Sequence, residues 1–181
     1  QVPFLGKKNS FFDLVLFING IPIVVGEVKS PVRISISWQD GAADFMGGEK
    51  NYWLNQNKFF VPNLLCFATE GKTFAHGPVN TGFRDWMPWL KTTDGDEIIA
   101  NMNSVLKSAE RLLDPETILN LIQSFSLYTS NKNKGIKILP RYPQYEATIQ
   151  IVERVKQGQI RKGLIWHFQG SGKSLLILYA A

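Results

Sequence analysis

Apolar positions along the chain fall into runs of two kinds, short unbroken stretches rich in β-branched residues and longer stretches spaced by three and four. Phe11 to Ile18 is an unbroken run apart from Asp13, Asn19-Gly20 interrupts it, and Ile21 to Lys29 resumes it, which predicts a hairpin turning at Asn-Gly. Both strands are apolar on both faces. Such strands belong to a sheet covered on its two sides, so the pattern predicts an α/β domain. Asn63 to Thr69 and Lys72 to His76, joined at Glu70-Gly71, predict a second strand pair.

Helical spacing is found between and after these strands. Ser35 to Leu54 reads as a helix weakened by Gly41, Gly47 and Gly48, each costing about 1 kcal/mol relative to Ala. Gly77 to Thr93 carries Phe83, Trp86 and Trp89 around Pro78 and Pro88 without a clean period, and reads as an irregular packed loop. Asp94-Gly95-Asp96-Glu97 has capping-box spacing and opens a helix through Ile98, Met102, Val105, Ala109 and Leu112. Asp114-Pro115 starts the next, expected to bury Ile118, Leu119, Ile122 and Phe125. Thr129 to Gly135 is polar and reads as a linker, dividing a domain at 1–130 from a segment at 131–181. That segment predicts a helix near Pro143 to Gln157, a strand at Gly163 to Phe168 and a helix from Leu175 to Ala181.

With 181 residues the chain has room for one ordinary domain and the opening of a second. Residues 1–130 hold 11 Lys/Arg against 13 Asp/Glu, a balance of −2, whereas residues 131–181 hold 9 against 2, a balance of +7. The basic stretch from Lys132 to Lys162 suits either a nucleic-acid backbone or an ordinary solvated face. Cys66 lies alone in an apolar strand, no disulfide can form within the chain, and no apolar run would span a bilayer. A cytoplasmic protein without membrane contact is expected.

Two clusters carry chemistry. The run Gln169-Gly170-Ser171-Gly172-Lys173-Ser174, between a predicted strand and a predicted helix, has the residues of a phosphate loop. Its glycines turn backbone N–H groups onto phosphate, Lys173 reaches the β/γ-phosphates and Ser174 holds Mg²⁺. The alternative is a plain glycine-rich strand-to-helix turn. The usual first glycine of the motif falls at His167, which leaves the G-S-G-K-S core intact. An NTPase also needs a later carboxylate and a group that orients water. The chain therefore reads as a piece of a larger motor protein, expected to turn over little ATP alone.

The second cluster is Asp13 with Glu27-Val28-Lys29. Carboxylates on neighbouring strands can hold Mg²⁺ through oxygen ligands, and an adjacent lysine can stabilise charge on a phosphodiester or orient water. A mutual ion pair satisfies the same residues. Register discriminates, because a two-residue Asn19-Gly20 turn pairs residues whose numbers sum to 39, while Asp13 and Glu27 sum to 40. In plain register they face opposite sides, so a shared metal requires a bulge or an odd loop. His76 and His167 read as structural. The five tryptophans read as core and loop anchors, with base stacking by Trp38 or Trp53 a distant alternative.

These pieces in this order resemble the N-terminal part of the R subunit of type I restriction-modification enzymes, over nearly the whole chain. Asp13 and Glu27-Val28-Lys29 resemble the PD-(D/E)xK nuclease motif, with Leu14 to Pro22 a family-like phrase between them. Arg141-Tyr142-Pro143-Gln144-Tyr145 resembles the superfamily 2 helicase segment whose glutamine recognises adenine, and Ile165 to Ser174 resembles motif I. The resemblance implies a mixed sheet flanked by helices, followed by the first helix, strand, phosphate loop and helix of a RecA-like motor. It further implies catalytic Asp13, Glu27 and Lys29, with metal at Asp13, Glu27 and Ser174. ATP would be held by Gln144, Gly170, Ser171, Gly172, Lys173 and Ser174. The activity implied is Mg²⁺-dependent cutting of double-stranded DNA after ATP-driven translocation, in a complex with modification and specificity subunits. One element departs: the helix after the E-x-K strand lacks Q-x-x-x-Y, since Gly48 stands four before Tyr52 and Ala43 four after Gln39. The competing reading is an inactive nuclease-fold module that clamps DNA or docks subunits. A P-loop kinase or GTPase fits less well, because a long domain precedes the loop.

Overall fold

A computed structural model describes residues 2–5, 8–90, 101–131, 134–159 and 162–181. Val2–Leu5 (β1) and Asn9–Phe12 (β2) pair antiparallel, the chain bends at Asp13, and Leu14–Ile18 (β3) and Ile21–Val28 (β4) form the hairpin. Phe11 and Phe12 thus belong to β2 and not, as the unbroken apolar run suggests, to the first hairpin strand. Asn19 and Gly20 turn the hairpin at φ of 51° and 79°, the left-handed region that an Asn-Gly pair tolerates.

Ser37 opens Trp38–Met46 (α1) by a capping box in which Asp40 accepts from the Ser37 N–H at 2.7 Å. The single helix expected to Leu54 breaks at Gly47-Gly48 and resumes as Tyr52–Asn55 (α2), capped by Asn51. Leu65–Thr69 (β5) then runs parallel to β4, and Phe74–Gly77 (β6) returns antiparallel to β5. The central sheet is mixed, in the order β3-β4-β5-β6.

The predicted cover on both faces is present, and residue alternation assigns each side its own core. Val24, Leu65, Phe67 and Phe74 point to one face. There they meet Met102–Leu112 (α3) and Pro115–Ser124 (α4) through Leu112, Ile118 and Leu121. Val25, Cys66, Ala68 and Ala75 point the other way, against Phe12, Ala42, Phe45, Tyr52 and Trp86. The larger of these side chains, the Val, Leu, Ile and Phe residues, contribute about 1.5–3 kcal/mol each when fully buried. On α4 the buried face carries Ile118 and Leu121, while Leu119 and Ile122 are exposed, so the apolar stripe is rotated from the expected one. The helix opening expected at Asp94 to Glu97 lies outside the described residues; the described helix starts from its own cap at Asn101.

Beyond α4 the structure departs from the pattern twice. The polar stretch Thr129 to Gly135 is no linker, because Leu127–Asn131 (β7) and Lys134–Ile138 (β8) pair antiparallel across it. Tyr142–Gln157 (α5) and Lys173–Ala180 (α6) form as predicted. Gly163 to Phe168, predicted as a strand, is not one. No described strand lies beside it to share hydrogen bonds, and Leu164, Trp166 and Phe168 stand 83%, 87% and 75% exposed. Among the described residues no helix is long and apolar enough to cross a membrane.

Gly26 carries a packing constraint that tests this arrangement. A Cβ there would sit 2.1 Å from the Phe67 ring on the neighbouring strand. Gly26→Ala is expected to destabilise the protein by about 1–3 kcal/mol, read as a lower urea midpoint with an unchanged m-value.

Candidate functional site

Strand pairing first decides where the acidic residues lie. Leu14 to Leu16 pair with Gly26 to Val24, but Phe17 pairs with Pro22, so the register shifts between Leu16 and Phe17. This is the bulge that a common face requires. Carried back one residue, the Leu14–Gly26 register sets Asp13 opposite Glu27. Alternation agrees, since Val15 and Val25, each two residues away, both pack into the second core. Asp13 also accepts a hydrogen bond from the Val28 N–H at 3.0 Å.

Glu27 is 1% exposed in the middle of the sheet, so its carboxylate needs positive partners. Lys29, two residues on and on the same face, donates to Glu27 Oε1 at 2.9 Å and to Asp44 Oδ2 at 2.7 Å. Lys50 reaches the same Oε1 and lies 3.5 Å from Asp44 Oδ2. The Tyr52 hydroxyl lies 3.1 Å from Glu27 Oε2 and 3.0 Å from the Phe11 carbonyl, its one proton shared between these two acceptors. Burial raises the Glu27 pKa against the pull of Lys50 and Lys29. Burial draws the lysines down, but their carboxylate hydrogen bonds outweigh it and leave both raised. Burial and then the Glu27 charge push the Tyr52 phenol up, so Tyr52 stays a donor.

Three residues of this cluster come from the segment where Q-x-x-x-Y is missing. Gly41 lets α1 lie against β4 and β5, since a Cβ there would be 3.1 Å from Ala68 Cβ and 3.4 Å from Glu27 Cγ. One turn on, Asp44 enters the site. Reading Gly41 only as a helix weakener missed this, and the glycine itself was the available signal for close approach. Tyr52 arrives from α2 after the break. Gln56, four residues later, is spent on Ser10 Oγ at 2.9 Å and on the Lys8 carbonyl.

The carboxylate oxygens of Glu27 and Asp44, which already draw two ammonium groups, are of the donor type a hard divalent cation takes. Among the described residues no three acidic, His or Cys side chains converge as a metal cluster. Mg²⁺ commonly rests on one or two carboxylates plus water, so Asp13 and Glu27 suffice in kind.

The glycine run lies elsewhere, at the start of α6. Gly170 and Gly172 have φ of 81° and 77°, and Lys173 begins the helix. Lys173 Nζ donates to the His167 and Phe168 carbonyls, both at 2.8 Å, and Ser174 is exposed. Gln144, buried on α5, accepts from the Arg141 N–H at 2.8 Å. Its amide donates to the Ser171 and Gly172 carbonyls at 3.0 and 3.2 Å. The structure thus brings Gln144 to the glycine run, where its amide holds the loop. Buried Ser171 Oγ has no hydrogen-bond partner, an orphaned donor suited to a phosphate oxygen. A cavity of about 170 Å³ opens here, lined by Arg84, Arg141, Gln144, Gly170, Gly172 and Leu175 among others. His76 borders it too, its Nδ1–H donating to the Met87 carbonyl at 2.8 Å.

Comparison with known proteins matches each half separately. Residues 1–85 match the family described as type I restriction enzyme R protein N terminus, and residues 143–181 match the SWI2/SNF2 ATPase family. The type I restriction enzyme HindI endonuclease subunit of Haemophilus influenzae is 29% identical, over 93% of this chain and 16% of its own length. The putative type I restriction enzyme MjaVIIP endonuclease subunit of Methanocaldococcus jannaschii is 31% identical, over 96% of this chain and 17% of its own. A second protein of that organism, the putative MjaVIIIP endonuclease subunit, is 27% identical over 100% and 17%. The chain therefore spans about a sixth of the length of these relatives.

Burial lowers the His76 pKa to about 4 against the pull of the Met87 and Pro140 carbonyls. The unfolded chain then takes up a proton near pH 6.5 that the folded one refuses until about pH 4, so stability falls as pH drops through this window and levels off below it. The loss of unfolding free energy between pH 7 and 4.5 is expected to shrink by about 2 kcal/mol in His76→Gln, measured by urea titration at both pH values.

Proposed function

We propose that this chain, whose first 85 residues belong to the N-terminal family of type I restriction enzyme R proteins, is the nuclease portion of such a subunit, joined to the opening of its ATP-driven motor. The observation that supports the reading is the register shift in β3–β4, which, carried one residue beyond the paired strand, would bring Asp13 opposite Glu27 on the face it shares with Lys29.

On this reading Asp13 and Glu27 hold Mg²⁺, which when bound supplies Lewis-acid stabilisation and an activated water. Lys29, clasped by Glu27 and Asp44, stabilises charge on the phosphodiester or orients the water. Tyr52 holds the second Glu27 oxygen and so aims the first. The substrate is double-stranded DNA, cut after translocation. The modification and specificity subunits are the partners, and the cytoplasm is the setting.

Gly170 to Ser174 would receive the ATP phosphates, with Ser171 Oγ a spare donor, Lys173 leaving its carbonyls for the β/γ-phosphates and Ser174 on Mg²⁺. Gln144 would meet the adenine by exchanging its contacts with the loop. The match of residues 143–181 to an ATPase family supports this half.

A second reading has its own observation. The ion pairs of Lys29 and Lys50 already satisfy Glu27, as in an inactive module that clamps DNA. Thermal unfolding with and without Mg²⁺ separates the two. The nuclease reading expects the metal at ten times its Kd to raise Tm by about 3 °C in the parent and not in Glu27→Ala; indifference to metal in both supports the module.

Activity in the full-length R subunit should divide likewise. Lys29→Ala is expected to cut plasmid DNA about 10²-fold or more slowly while DNA-stimulated ATP hydrolysis persists, and Lys173→Ala to lose both. Normal cutting by Lys29→Ala would make Lys29 a member of a structural ion pair only.

A further inference from the structure

The backbone around Lys50 is held in place more tightly than a surface lysine requires. Gly47 leaves α1 at φ 149°, and the Gly47 and Gly48 N–H groups both donate to the Ala43 carbonyl, at 3.0 and 2.7 Å. A Cβ on Gly48 would lie 2.8 Å from the Ala43 carbonyl atoms. Asn51 follows at φ 42° and caps α2, and the Asn55 amide donates to the Lys50 carbonyl at 2.8 Å. A residue without a β-carbon, a left-handed Asn and a side-chain tie thus aim one side chain. It is aimed at Glu27 and Asp44, over the Tyr52 ring at 5.4 Å.

The two lysines of the cluster differ in what they can do. Lys29 has an 18% exposed side chain and sits between two carboxylates at 2.9 and 2.7 Å. Lys50 has a 40% exposed side chain and lies 3.5 Å from the second carboxylate. A phosphodiester cannot enter the sheet interior and must meet the cluster from solvent. The ammonium it meets there belongs to Lys50. Moving that group outward still leaves Glu27 paired with Lys29 at 2.9 Å.

We infer that Lys50 is a second catalytic lysine, which leaves Glu27 to bind a non-bridging oxygen of the scissile phosphate while Lys29 stays between Glu27 and Asp44. The inference rests on the nuclease reading of Asp13 and Glu27. In the step it serves, the water oxygen bonds to phosphorus as the ester P–O bond breaks, the water proton passes to solvent and the leaving oxygen keeps the electron pair. Lys50 exchanges neither protons nor electrons; it neutralises charge on the phosphate oxygens.

The test uses this chain with Lys50→Ala, Lys50→Gln, Lys50→Arg and Glu27→Ala. Binding of a short duplex DNA is followed by fluorescence anisotropy against salt in Ca²⁺, and nicking of supercoiled plasmid in Mg²⁺. Lys50→Ala and Lys50→Gln are expected to reduce the slope of log Kd against log salt by about one, with Lys50→Arg restoring it. Nicking should fall about 10²-fold in kcat for both neutral variants, with KM little changed and Lys50→Arg recovering part. An unchanged salt slope in Lys50→Ala and Lys50→Gln overturns the inference, whether or not the chain nicks. So does nicking that is undiminished, or that rises at lower Mg²⁺, the sign of a lysine that only fills the metal position. If Lys50→Ala loses nicking and Glu27→Ala does not, the nuclease reading itself fails and takes this inference with it.

Discussion

A carboxylate buried in the centre of a sheet must be paired, and Glu27 imposes that requirement on everything near it. An unpaired charge at 1% exposure would cost several kcal/mol, on the order of a sizeable part of a domain's stability. The surrounding structure supplies partners from three separate elements. Lys29 comes from the end of the same strand, Lys50 from the break after α1, and Tyr52 from the start of α2. Two glycines shape the segment that supplies the more distant partners, Gly41 by letting α1 lie on the sheet and Gly48 by letting the chain double back on Ala43.

The same sheet serves a different purpose on its opposite face. There Trp89 meets Tyr142 and Tyr145 of α5 at 5.4 and 5.2 Å, and Phe125 meets Tyr145 and Tyr179. The β7–β8 hairpin lies between, pinned where Lys137 donates to the Asn63 and Leu64 carbonyls. Burial lowers the Lys137 pKa, the mark of an ammonium answered by carbonyls without a carboxylate among the groups acting on it. Aromatic packing therefore joins α5 and α6 to the apolar core on this face of the sheet. Residues of α5 and α6 thus share an apolar core with the central sheet, with Tyr179 among those that close it.

Local chemistry made much of this legible in the chain. The Asn-Gly turn, the doubly apolar strands, the Asp114-Pro115 start of α4 and the glycine run ahead of α6 each depend on neighbours within a few residues, and each formed. Glu27 and Lys29 could be named together because two-residue alternation puts them on one face without any knowledge of packing, whereas Asp13 could join them only if the register shifted. The need for a bulge followed from the same arithmetic. It could be stated as a condition, but its presence at Leu16–Phe17 could not be read.

What required the tertiary structure was every feature whose partner lies far along the chain. Asp44 and Lys50 are ordinary charged residues in sequence; only the approach of α1 to β4 makes them neighbours of Glu27, 17 and 23 positions away. Gly163 to Phe168 has strand composition, yet a strand exists only against another, and no described strand stands there to pair with it. The polar Thr129 to Gly135 carries no apolar signal and still joins a hairpin, because its backbone hydrogen bonds do not depend on side-chain polarity. Gln144 could be placed on a helix from its sequence, whereas its hold on Ser171 and Gly172 arises from two helices meeting 27 residues apart. Local propensity thus determined the turns, the helix caps and the alternation within each strand, whereas pairing between distant strands and the burial of charge depended on the tertiary structure.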